Sequence, residues 1–133
     1  MLLSLGTASG KILVVDDSIV IRKILSRYLQ SLECKFELCV DGSVAWEWFK
    51  ENHQDCAGVI TDLEMPMMGG DALIANVQQL CPGLPCFLVS GNDIPHELLP
   101  RGALRAIVKP ITSSQVEGLL SDILRHHRLA ALL

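Results

Sequence analysis

No stretch of this chain stays apolar for the roughly 20 residues that a membrane-spanning helix needs, so none is expected to cross a bilayer. There is no basic excess either. Eleven Lys and Arg stand against 15 Asp and Glu, a net charge of −4, which argues against a nucleic-acid surface. Cys34, Cys39, Cys56, Cys81 and Cys86 are odd in number and form no C-x-x-C pair. Neither a disulfide framework nor a zinc site is expected from them, and buried reduced thiols are. Met1-Leu2-Leu3 is too short for a signal-peptide core and lacks a basic flank, which points to the cytoplasm. Aromatic residues make up only 5% of the chain, and no repeat or low-complexity segment interrupts it.

What is present is globular: 133 residues, 50% of them apolar and 20% charged. That is one domain's worth of chain, able to bury about two-thirds of its unfolded surface. Residues 1–10 read as a flexible leader, 11–128 as the domain and 129–133 as a tail, either a frayed end or the start of a connection.

Five short apolar runs, Lys11 to Val15, Glu33 to Val40, Val59 to Thr61, Cys86 to Val89 and Arg105 to Val108, read as strands. Between and after them come segments of helical period: Ile19 to Leu32, Val44 to Asn52, Asp71 to Leu80, a short one between Ile94 and Arg101, and Thr112 to Arg128. Alternating strands and helices call for a parallel sheet with helices on both faces, a doubly wound α/β fold.

The strand ends carry the chemistry. The first ends in Asp16-Asp17, the third in Asp62, the fourth in Ser90-Gly91-Asn92 and the fifth in Lys109-Pro110. In a parallel sheet these ends share one edge, where open α/β sheets bind ligands. A lone Asp62 would be explained as a loop cap bonding backbone N–H groups. With neighbouring strands about 4.8 Å apart, Asp16, Asp17 and Asp62 would instead converge and repel unless a cation lay between them. Oxygen ligands with an incomplete shell suit Mg²⁺, which keeps waters and shares phosphate oxygens. Lys109 and the Ser90 hydroxyl would then stabilise a phosphoryl group, with Asp62 as nucleophile.

These residues, together with Asp62-Leu63-Glu64-Met65-Pro66-Met67-Met68-Gly69-Gly70, resemble the receiver domain of two-component response regulators, and the likeness covers residues 11 to 128. The resemblance implies a flavodoxin-like five-stranded parallel sheet of order 2-1-3-4-5. It implies Asp62 as phosphoacceptor, and Mg²⁺ held by Asp17, Asp62 and the Glu64 backbone carbonyl, with Asp16 acting through a water. Lys109 would grip a phosphoryl oxygen across a cis bond to Pro110, and Ser90 would supply the hydroxyl that moves to meet the phosphoryl group. Glu64 and Asn92 match the positions that tune phosphate loss. The family's switch aromatic, three residues before the lysine, is Ala106 here, so phosphorylation is implied while the usual output route is not.

The implied function is a phosphorelay switch that takes its phosphoryl group from a phosphohistidine on a sensor histidine kinase or phosphotransfer protein. It would act as no enzyme beyond modifying itself and losing that phosphate. The chain is read as a stand-alone receiver or as one domain of a longer protein such as a hybrid kinase. Two other readings stay open: an Mg²⁺-dependent phosphohydrolase using Glu64 as second acid, and a receiver fold used only for docking. Trp46 and Trp48 read as packing, His53 and His96 as surface residues, and His126-His127 as adjacent rings pointing to different sides.

Overall fold

A computed structural model describes residues 10–132; the leader read at residues 1–10 lies outside the described residues but for Gly10, as does the last residue of the tail read at 129–133. The sheet contains β1 (Lys11–Val15), β2 (Phe36–Cys39), β3 (Cys56–Asp62), β4 (Cys86–Ser90) and β5 (Ala103–Val108). All its pairings are parallel, in the order β2-β1-β3-β4-β5. Four α-helices cover it: α1 (Ile19–Ser31), α2 (Gly42–Asn52), α3 (Gly70–Leu80) and α4 (Ser113–Ala131). The expected doubly wound sandwich is therefore the observed one.

Successive strand residues face opposite ways, and each sheet face builds its own core. Ile12, Val14, Ile60, Phe87 and Val89 pack with Leu25 and Leu29 of α1 and Leu119 and Ile123 of α4. Leu13, Val15, Val59 and Leu88 pack with Phe49 of α2 and Leu73, Ile74 and Val77 of α3. The central strand β3 is buried over its whole length, so its C-terminal carboxylate is delivered at the end of a rigid rod.

Helix starts follow local chemistry. Ser18 Oγ accepts from the Ile21 N–H at 3.3 Å and Asp41 Oδ1 from the Val44 N–H at 2.9 Å. Thr112 and Gln115 form a reciprocal capping box. Because Asp41 is the cap, α2 begins at Gly42 rather than at Val44. The last helix runs on to Ala131, past the expected end at Arg128. His127, expected only to diverge from His126, reaches the Ala57 carbonyl with Nε2 at 2.8 Å.

The expected helix between Ile94 and Arg101 is not there. Among the described residues that connection holds one 3-10 turn, His96–Leu98. Two prolines are the reason. Pro95 caps the turn with ψ 144°, and Leu99, preceding Pro100, is held extended at φ −63°, ψ 138°, the conformation that a following proline imposes. Ile94 and Leu99 lie against the second core where a helix would have packed. No described helix is long and apolar enough to cross a membrane.

All five cysteines are free thiols, four of them buried and Cys81 partly exposed. Burial pushes the Cys56 and Cys86 thiols up to about 12 and the Cys39 thiol up to about 11. At pH 8 the thiolate fraction is then roughly one part in 10⁴ for Cys56 and Cys86 and roughly one in 10³ for Cys39, and these thiols lack access as well. Titration of the folded chain with a disulfide reagent at pH 8 should therefore release about one equivalent quickly, from Cys81, and the remainder only after unfolding. Several fast equivalents would contradict this burial.

Candidate functional site

Four strand ends meet at one edge of the sheet. Asp16 follows β1, Asp62 closes β3, Ser90 closes β4 and Lys109 follows β5. The ladder fixes their relation: Val15 lies opposite Thr61, Asp62 opposite Val89, and Ser90 opposite Val108. Carboxylate oxygens of Asp16, Asp17 and Asp62 all lie within 4.8 Å of one another. Asp16 is 1% exposed and Asp62 7%, whereas Asp17 is exposed.

Asp16 is held from several directions. Its N–H donates to the Cys39 carbonyl at 3.2 Å, its Oδ1 accepts from the Ser18 N–H at 2.8 Å, and its carbonyl accepts from Arg22 Nη1 at 2.7 Å. Lys109 Nζ spans the gap between the two buried acids, 3.2 Å from Asp16 Oδ2 and 3.3 Å from Asp62 Oδ1. Asp16 Oδ2 is fully buried, and beyond that ion pair it has no aligned hydrogen bond.

Three carboxylates face one ammonium, so the ionised cluster carries an excess of two negative charges. Burial raises the Asp62 carboxyl above the usual carboxylate range; Asp16 and Asp17 push the same way, and Lys109 only partly offsets them. Burial alone would lower Lys109, but Asp16 and Asp62 outweigh it and hold its ammonium above the ordinary lysine value. An under-bonded buried carboxylate oxygen among crowded acids fits a small divalent cation with oxygen ligands. Asp16, Asp17 and Asp62 could hold one.

Ser90 is 6% exposed, and its Oγ accepts from the Asn92 N–H at 3.2 Å. The Ser90 carbonyl accepts from the Lys109 N–H at 2.8 Å, tying these two strand ends together. Glu64 and Asn92 are exposed on their loops and have no ion pair or side-chain hydrogen bond to the acid cluster. Ala106 is half-buried opposite Leu88, at the margin of the second core. The Lys109–Pro110 bond is cis, as the resemblance implies.

Sequence reasoning missed two supports. Arg22 drew no notice in the sequence, and only its offset of six from Asp16, one helical turn past the Ser18 cap, hints at its reach. Gly70 appeared only as the last residue of the run that follows Asp62, but a Cβ there would lie 2.2 Å from the Asp62 carbonyl oxygen. Its N–H donates to the Leu63 carbonyl at 2.8 Å, so the loop folds back tightly behind the acid.

Residues 12–121 match the family model of the response regulator receiver domain. The peroxide stress-activated histidine kinase mak1 of Schizosaccharomyces pombe is 28% identical over 132 residues, which cover 92% of this chain and 8% of that protein. A protein-glutamate methylesterase/protein-glutamine glutaminase of Anaeromyxobacter dehalogenans is 33% identical over 119 residues, 86% of this chain and 33% of that protein. The chain thus spans a third or less of the length of either relative. Among solved structures, a response regulator receiver domain protein of Clostridium thermocellum aligns with a TM-score of 0.83 at 21% identity, covering 91% of this chain and 98% of that one. The chemotaxis response regulator CheY4 of Vibrio cholerae aligns at 0.74 with 27% identity, covering 86% and 98%.

The raised Asp62 carboxyl has a consequence for stability. A group whose folded-state pKa exceeds its unfolded value contributes stability below the unfolded value and loses it as pH rises through the folded one. In a chelator, Asp62→Asn should therefore melt above the native chain at pH 7.5, and the gap should narrow as pH falls through the raised Asp62 value and close only below the ordinary carboxylate range, where Asp62 is protonated in both states. Equal melting temperatures at both pH values would contradict the crowding of charge.

Proposed function

The chain belongs to the response regulator receiver family, and on that premise we propose that it is a phosphoacceptor switch, with Asp62 taking a phosphoryl group from a phosphohistidine in the presence of Mg²⁺. The observation that carries the reading is the Lys109 ammonium set between Asp16 and Asp62 beside a third carboxylate. A cluster of this charge is costly to keep in a fold unless a cation and a phosphoryl group are its partners.

Each residue then has a task. Asp16, Asp17 and Asp62 would hold the cation, with the backbone carbonyl of Glu64 as a further oxygen. Bound there, Mg²⁺ would supply positive charge to neutralise the transferring phosphoryl oxygens. A carboxylate oxygen of Asp62 attacks phosphorus as the bond from phosphorus to the histidine nitrogen breaks. The electron pair leaves on the imidazole, which takes up a proton. Lys109 follows the phosphoryl charge, which replaces the carboxylate charge it balances at rest. Ser90 donates its hydroxyl to a phosphoryl oxygen, and the exposed Glu64 and Asn92 sit where they meet the water that later removes the group.

The donor is a sensor histidine kinase or histidine phosphotransfer protein, and cytoplasmic residence follows from such a partner. The same position in a larger protein, as one domain of a hybrid kinase, is consistent with the small share of mak1 that the chain covers. On this reading the chain turns over no free substrate: its one reaction is gain and loss of its own phosphate.

Incubation with Mg²⁺ and a small phosphodonor should add one phosphoryl group by intact mass. Asp62→Asn or a chelator should abolish the addition, and Lys109→Ala should slow it by about a hundredfold or more, as loss of a charged group at a phosphoryl site does. Modification of Asp62→Asn at the native rate would sink the assignment, and steady release of phosphate from small phosphoesters would favour a phosphohydrolase.

Ala106 also bears on output. With no ring at that position to rotate inward, amide shifts on phosphorylation should concentrate near Asp62, Ser90 and Lys109 and remain small along 103–106 and the outer face of α4. Shifts there as large as those beside Asp62 would contradict it.

A further inference from the structure

We infer that Arg22 is a positioning residue of the cation site, fixing the peptide that joins Asp16 to Asp17; this rests on the reading of Asp16, Asp17 and Asp62 as Mg²⁺ ligands. Arg22 Nη1 donates to the Asp16 carbonyl oxygen at 2.7 Å from the second turn of α1. That carbonyl belongs to the same rigid plane as the Asp17 N–H. Gripping it fixes the rotation of the plane between the two acids, and with it the direction in which Asp17 leaves the backbone.

The need for such a grip is specific to Asp17. Asp16 is already held at its N–H by Cys39 and at Oδ1 by the Ser18 N–H. Asp17 is exposed, and among the described residues no side-chain hydrogen bond holds it. Of the three acids it alone depends on its backbone for its aim. Arg22 is half-buried, and among the described residues its guanidinium has no carboxylate partner despite three acids nearby. It is spent on a neutral carbonyl instead. A planar guanidinium is suited to this: it is always charged, and its donors lie in a rigid fork.

The sign of the effect separates this role from plain electrostatics. A cation beside a cation site weakens Mg²⁺ binding by repulsion, so removing Arg22 for charge reasons alone would tighten it. Removing a positioning bond does the opposite, and outer supports of metal ligands typically cost ten- to a hundredfold in affinity.

The test is calorimetric titration of Mg²⁺ into the metal-free native chain, Arg22→Met, which keeps the apolar stem, and Arg22→Lys, with melting temperatures taken alongside. Arg22→Met should bind Mg²⁺ about tenfold more weakly, and Arg22→Lys, which keeps a donor, should stay within about threefold of native. Phosphorylation of Arg22→Met by a small donor should be slow at low Mg²⁺ and recover at saturating Mg²⁺, because the phosphoryl-binding groups are untouched. Native binding with Arg22→Met unchanged or tighter would overturn the inference alone. A native chain that takes up no Mg²⁺ would overturn it together with the reading of the acid site. If Arg22→Met melts far below native, Arg22→Lys decides: affinity lost there as well, in a chain of native stability, overturns the role of the donor.

Discussion

One ammonium shared between two buried carboxylates governs this molecule. Lys109 lies 3.2 Å from Asp16 and 3.3 Å from Asp62, at the ends of strands far apart in sequence that the fold brings to one sheet edge, β4 lying between β3 and β5. The arrangement is unbalanced by design of its numbers: a third acid, Asp17, leaves two negative charges without a partner. Buried ion pairs contribute little net stability, because desolvation offsets their attraction. The cluster is therefore a cost that the two apolar layers carry.

The fold supplies the convergence. Parallel strands of order β2-β1-β3-β4-β5 bring the C-terminal ends of β1, β3, β4 and β5 to one edge. Strand β3, buried from Cys56 to Asp62, sets the depth of the Asp62 carboxylate. Backbone bonds then set the rest: Asp16 N–H to Cys39, Lys109 N–H to Ser90 and Gly70 N–H to Leu63 each tie one site loop to a neighbouring strand end or turn. Side chains at this edge are positioned by peptide units more than by one another, which is how groups that repel can be held together.

Much of this was legible in the residues. Strand runs such as Lys11 to Val15 and Cys86 to Val89 declare themselves by continuous apolar character, and the polar residue that ends each one marks the site edge. The short connection between β4 and β5 was harder, since an apolar period from Ile94 to Leu99 is compatible with a helix. Pro95 and Pro100 decide against it, because backbone constraint at two positions outweighs a period only one turn long. The supports were barely legible. The offset of six between Asp16 and Arg22 allows a bond without naming the backbone carbonyl as its acceptor, and that Gly70 must lack a Cβ depends on where the Asp62 carbonyl lies, which no spacing encodes.

The same contrast bears on how a phosphate at Asp62 could be sensed elsewhere. Two features separate this chain from its family at the β5 side: Ala106 at the switch position, and a 3-10 turn where a helix was expected. They belong together physically. A bulky ring at position 106 needs a covering helix to rotate against, and a covering helix needs apolar bulk beneath it. Here Ile94 and Leu99 fill that space from an extended segment, and Ala106 lies half-buried beside Leu88. Change at the acid cluster reaches this side through the backbone bond between Lys109 and Ser90. What lies beyond is a strand edge with exposed Leu104 and Val108 and no ring to turn. The acid cluster is thus kept at the sheet edge while the Ala106 side of β5 carries, among the described residues, neither a ring nor a covering helix. The loop edge is the exposed part of this region, where Asp17, Glu64 and Asn92 stand around the buried acids.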